Sequence, residues 1–134
     1  MMIKHFWRTT MGYTHYWNGN ITPTEFNQLL PIAKAIIKES DVPVQYGRDH
    51  TSPPRLSNDT IRLNGVGEDG HETFMIVADE QREFCKTAEK PYDEIVVAIL
   101  IAASEIAKDF EWRSDGNASD HKRGKQLIAS IQWC

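Results

Sequence analysis

The stretch EFCKTAEKPYDEIVVAIL, residues 83–100, crowds a thiol, two lysines, a tyrosine and an aspartate against a strongly apolar run. As a nucleophile Cys85 needs a depressed pKa and a nearby base, for which Lys86, Lys90, His71 and His15 are the candidates by type. A hydrolase or transferase would draw on Cys85, His71, Glu72 or Asp115. No cysteine-enzyme signature surrounds the thiol, and a small apolar residue packing beneath a loop is the simpler reading. The following residues say more. Lys86, Thr87 and Lys90, with Tyr92 and Asp93, lead into the N-terminus of an apolar helix, where unpaired amides and the helix dipole favour an anion. A phosphate or carboxylate site is expected there; capping of the helix by Thr87 or Asp93 is the alternative.

A second cationic group, Tyr46, Arg48, Asp49, His50 and Arg55, falls in the Pro-rich segment 46–59. Arg48 and Arg55 could close over a negatively charged ligand, since arginine gives bidentate phosphate contacts. Tyr13, His15, Tyr16, Trp17 and Trp112 offer flat faces on which a base could stack, although aromatics at strand spacing are commonly core. GVGEDG at 65–70 matches G-x-G-x-x-G, yet the residues after it are strand-like, and Glu68 and Asp69 would meet the phosphates. A glycine-rich hairpin loop using positive φ is expected instead of a dinucleotide site. His71 and Glu72 begin an H-E-x-x-H pattern that Met75 breaks. No pair among His15, His50, His71, His121 and Cys85 has a C-x-x-C or H-x-x-x-H spacing, so no metal and no cofactor is predicted.

The elements that must position these residues follow from periodicity. GYTHYW alternates, with Tyr13, His15 and Trp17 on one face and Thr14 and Tyr16 on the other; aromatics on both faces suggest an interior strand. Thr22, Pro23 and Glu25 open a helix with a capping box, and Phe26, Leu29, Leu30, Ala33, Ile36 and Ile37 form its apolar face, with Pro31 expected to kink it. A short strand at 42–44 precedes the long loop. Residues 60–65 and 71–77 read as an antiparallel hairpin, and Pro91 to Lys108 as a helix buried nearly all round. Residues 110–115 alternate as a strand, and a weaker amphipathic helix closes the chain, with Gly124 counting against its first half. The predicted class is α+β, a mixed and largely antiparallel sheet with about three helices packed on it.

At 134 residues the chain suits one domain burying roughly two thirds of its unfolded surface. Residues 1–10 read as an N-terminal extension and 11–134 as the globular domain. The net charge of −4 lacks the basic footprint of a duplex-DNA binder. Two cysteines, Cys85 and Cys134, suggest a reduced chain without a disulfide. No apolar run reaches the ~18 residues of a membrane span, and the first ten residues do not read as a secretory signal.

MGYTHYW at 11–17, NGVGEDGHETF at 64–74, FCKTAEKPYD at 84–93 and SDG at 114–116 together resemble a family of small proteins encoded by bacteriophages and prophages, over residues 11 to about 124. The resemblance implies a phage origin and a cytoplasmic setting, and no enzyme class. Ten residues ahead of Met11 depart from the family pattern. The expected function is binding of an anionic, nucleotide-derived small molecule, as in sequestration of a host immune signal, without turnover. Its predicted contacts are His15, Tyr16, Trp17, Arg48, Arg55, Cys85, Lys86, Thr87, Lys90, Tyr92 and Asp93. Self-association is compatible with so small a domain. The alternatives are the hydrolase above and an inhibitor that grips a host enzyme through Glu68, Asp69, Glu80, Glu83 and Glu89.

Overall fold

Strand β1 (Thr14–Asn20) lies at the centre of a three-stranded antiparallel sheet, between β6 (Glu80–Lys86) and β7 (Asp109–Ser114). The computed structural model describes residues 13–131; the predicted extension at 1–10 and Cys134 lie outside them. Register is fixed by Tyr16, which faces Phe84 on one side and Arg113 on the other, while His15 faces Cys85 and Ser114. The alternation read from GYTHYW therefore holds, and the interior position explains aromatics on both faces.

A second antiparallel sheet is built on β4 (Thr60–Gly65), which pairs with β5 (Phe74–Val77) on one side and with the two-residue strands β2 (Val44–Gln45) and β3 (Arg55–Leu56) on the other. The expected hairpin is β4 and β5. GVGEDG forms its loop, with a 3-10 turn at Gly67–Asp69 and Gly67 at φ +55°, followed by a strand and no helix. Asn64 organises this loop from a buried position: its Oδ1 accepts from the Gly65 and His71 amides, and its Nδ2 donates to the His71 carbonyl and Thr73 Oγ1. All four hydrogen-bonding positions of the side chain are used, which makes the glycine pattern a matter of turn geometry.

Helix α1 (Pro23–Glu39) has both halves of the capping box, Thr22 Oγ1 accepting from the Glu25 amide and Glu25 returning to the Thr22 amide. It buries Phe26, Leu29, Ile32, Ala33 and Ile36 and continues through the exposed Pro31. Helix α2 (Asp93–Ile106) is buried on almost every side. Helix α3 (Lys122–Ser130) lies against it so closely at Gly124 that a Cβ there would come within 2.5 Å of Val97. The residue that weakens the helix by propensity is what admits the helix–helix contact. One hydrophobic core joins these helices to the inner faces of the sheets, Trp17 meeting Phe74 at 5.3 Å between ring centroids. The architecture is α+β, as expected.

The main departure from the sequence reading is β6. The sequence pattern assigns no element to residues 80–86, yet they form a seven-residue edge strand. Only Cys85 of that strand is buried, so hydrophobic alternation, the usual mark of a strand, is almost absent.

Candidate functional site

The alternation of β1 sends its residues to two different places. Inward, Tyr13 and His15 join Thr87 from the β6–α2 connection and Asp93 from the first turn of α2. Asp93 Oδ1 lies 2.6 Å from His15 Nε2 and accepts from Thr87 Oγ1 at 2.6 Å, while Tyr13 reaches Oδ2 at 3.5 Å. His15 and Thr87 are completely buried and Asp93 nearly so. The anion predicted at this helix N-terminus is thus the protein's own carboxylate, and the expected ligand site there is corrected to an internal polar network. It fastens β1 to α2 across a separation of 78 residues. Burial, then the Asp93 charge, pushes the Tyr13 hydroxyl well above its ordinary range, so it stays a neutral donor.

Beside this network, Trp112 and His121 complete an aromatic cluster around His15, with ring centroids 5.2–5.8 Å apart. His121 Nε2 lies 3.1 Å from Ser114 Oγ, which also accepts from the Gly116 amide. Burial, and next the repulsion of His15, lower the His121 pKa below its usual value. His15 Nδ1 and Trp17 Nε1 are buried without hydrogen-bond partners.

A second internal cluster disposes of the thiol. Cys85 is fully buried, with Sγ 3.5 Å from the Glu72 carbonyl and 4.0 Å from the Tyr92 hydroxyl. Tyr92, also buried, donates to the same carbonyl. Burial pushes the Cys85 pKa up to about 12, which favours a protonated thiol, the opposite of the depressed pKa that a nucleophile needs. The other members of that set are held by backbone. His71 Nδ1 donates to the Lys86 carbonyl, Glu72 accepts from the Lys86 amide, and Asp115 accepts from the Thr14 amide. Cys85, Tyr92 and His15 are therefore packing or network residues, whereas Trp17, although buried, also borders the open recess on the other side of the sheet.

Outward, the three-stranded sheet leaves its other face open. Tyr16 and Asn18 of β1, Arg82 and Phe84 of β6, and Glu111 and Arg113 of β7 line a shallow recess of about 600 Å³. The Arg113 guanidinium lies 4.6 Å from the Tyr16 ring centroid, and Tyr16 and Phe84 are 6.4 Å apart. Phe84 is 54% exposed, the largest exposure of any large hydrophobic residue among those described. Lys86 continues the Arg82 and Phe84 row at one end, opposite Thr14, while Glu80 and Asp109 flank Asn20 at the other. Between these ends lie the Arg113–Tyr16–Phe84 row and then a mixed row of Glu111, Asn18 and Arg82.

Of the predicted contacts, this face collects Tyr16 and Lys86, and Trp17 also lines the recess. Thr87 and Asp93 serve the buried network. Lys90 is half-exposed in the connection before α2. Arg48 pairs with Asp49 and Arg55 with Asp59, both at the surface of the other sheet. Phe84, Arg82 and Arg113 were not predicted. Phe84 and Arg82 become legible only once 80–86 is taken as a strand with Cys85 inward, because Arg82, Phe84 and Lys86 then share the outward face.

Among the described residues no three His, Cys, Asp or Glu side chains are grouped to hold a metal, and no helix is long and apolar enough to cross a membrane. No family model, curated protein or solved structure matches the chain.

Proposed function

We propose that the open face of the three-stranded sheet binds an anionic, nucleotide-derived small molecule without turning it over. The observation that carries this reading is Phe84, left exposed beside Tyr16, with an arginine on each side of the aromatic pair. Exposed aromatic rings on a sheet are a stacking platform for a base, worth roughly 1–3 kcal/mol per base. Arg113, Arg82 and Lys86 supply charge-assisted donors for phosphate. Asn18 separates Arg82 on β6 from Glu111 on β7; the Glu111 carboxylate repels phosphate and accepts from an exocyclic amine, which sets the direction of the ligand. A recess of about 600 Å³ falls within the range of small-molecule sites.

The buried network fits this role as a foundation: Asp93 fixes the strand that carries Tyr16. In the phage setting that the sequence resemblance implies, sequestration of a host nucleotide signal is the corresponding biological role. Native mass spectrometry of freshly purified protein, with heat release of any bound molecule, tests the reading. A nucleotide-like adduct that disappears in Phe84→Ser and Arg113→Gln supports it. An adduct that both variants retain places the ligand elsewhere.

A further inference from the structure

The four-stranded sheet also has an open face, and its charges are arranged against its own stability. Arg62 on β4 stands directly opposite Arg55 on β3 and, on its other side, opposite the exposed Met75 of β5. Ile61, Leu63, Phe74 and Ile76 alternate with them and are buried, so Arg62, Arg55 and Met75 share the outward face. Like charges directly opposed across an antiparallel pair weaken it. The pairing is the more notable in a chain of net charge −4.

Arg62 is held in place. Its guanidinium lies 3.9 Å from the centroid of the Tyr46 ring, and its Nε donates to the Tyr46 carbonyl at 3.3 Å. Tyr46 in turn packs against His50, with ring centroids 4.9 Å apart. Stacking and the Nε bond use one face and one edge of the guanidinium. Its two terminal amino groups remain, and among the described residues Arg62 forms no ion pair. Among the described residues the only ion pair of Arg55 is a solvent-exposed one with Asp59 at 4.0 Å, and Asp59 is already engaged by the Ser57 and Thr60 hydroxyls.

We propose that Arg62 and Arg55 form a second binding site, separate from the recess, for a phosphate group. A tetrahedral dianion matches two guanidinium groups in charge and in donor geometry. A guanidinium already immobilised on an aromatic ring loses less freedom when it binds. The anion also cancels the repulsion across β3 and β4, so binding and sheet stability are coupled.

The test is thermal unfolding in phosphate against chloride at matched ionic strength, with inorganic phosphate as the probe. In the unsubstituted protein and in Arg113→Gln, phosphate is expected to raise the midpoint. In Arg62→Gln and Arg55→Gln the apparent phosphate affinity should fall by about tenfold or more. Arg62→Lys, which keeps the charge and loses the flat fork, should also bind more weakly. Without phosphate, Arg55→Gln should be at least as stable as the parent, because the opposed charge is gone and the exposed Asp59 pair contributes little. A midpoint insensitive to phosphate overturns the proposal. So does a gain that survives both glutamine substitutions undiminished, which is general salting-out or phosphate held in the recess, the latter marked by its loss in Arg113→Gln. Nucleotide binding that fails while the phosphate effect persists would count against the recess alone.

Discussion

Removing Asp93 should cost the fold far more than an ordinary surface carboxylate, because two completely buried groups depend on it. Asp93 Oδ1 lies 2.6 Å from both His15 Nε2 and Thr87 Oγ1. Leaving a buried donor unsatisfied costs about 1–3 kcal/mol each, and Tyr13, at 3.5 Å, adds little. Asp93→Ala is therefore expected to lose about 3–5 kcal/mol, or a urea midpoint shift near ~2 M for a slope of about 2 kcal/mol/M. A double-mutant cycle isolates the pair. His15→Leu and Asp93→Leu each orphan a buried partner, whereas the double variant removes both, so a coupling of about 1.5–3 kcal/mol is expected. A coupling below about 0.5 kcal/mol, with the urea slope unchanged, would refute the claim that this contact fastens β1 to α2.

Two further outcomes follow from the same region. Ala88 and Glu89 take up φ values of 54° and 55° in the turn between β6 and α2, a conformation that costs a residue with a Cβ roughly 1–2 kcal/mol; Ala88→Gly should therefore raise stability by up to about 1 kcal/mol in urea unfolding, net of glycine's extra chain entropy, and a loss of stability would contradict the reading of strain. For Cys85 the folded pKa, about 12, stands above its ordinary value of 9.0, so the protonated thiol's contribution is complete below pH 9 and is lost as pH rises toward 12. Tyr13 and Tyr92, also raised by burial, act in the same direction. Cys85→Ala should remove up to about 1.4 kcal/mol per pH unit from the alkaline decline; an unchanged slope would mean that the thiol is not buried as described.

How far the sequence revealed this molecule depended on where hydrophobic pattern and burial coincide. The α1 capping box, the β4–β5 hairpin and the buried α2 all carry strong local signals, and each is present. Strand β6 carries almost none, because one of its edges is open and one face meets solvent, leaving Cys85 as its sole buried residue. With no strand assigned to 80–86, residues 86–93 read as the approach to the helix, which places Lys86, Thr87 and Lys90 together around an external anion. In the fold, strand alternation turns Lys86 outward while Thr87 turns in to Asp93. The same oversight hid Phe84. Tertiary proximity accounts for the rest: nothing in local spacing could announce that His15, Thr87 and Asp93 meet, or that Arg55 and Arg62 stand opposite each other across two strands.

The central claim is that the open face of the three-stranded sheet is a nucleotide site, and isothermal titration of the protein with 5′-AMP and with an adenine cyclic dinucleotide tests it most directly. Binding by at least one of the two is predicted, weakened about tenfold or more by Phe84→Ser, as loss of a stacking contact requires, and likewise by Arg113→Gln, while Arg62→Gln leaves it intact. No heat from either nucleotide, or binding indifferent to both recess substitutions, would contradict the account.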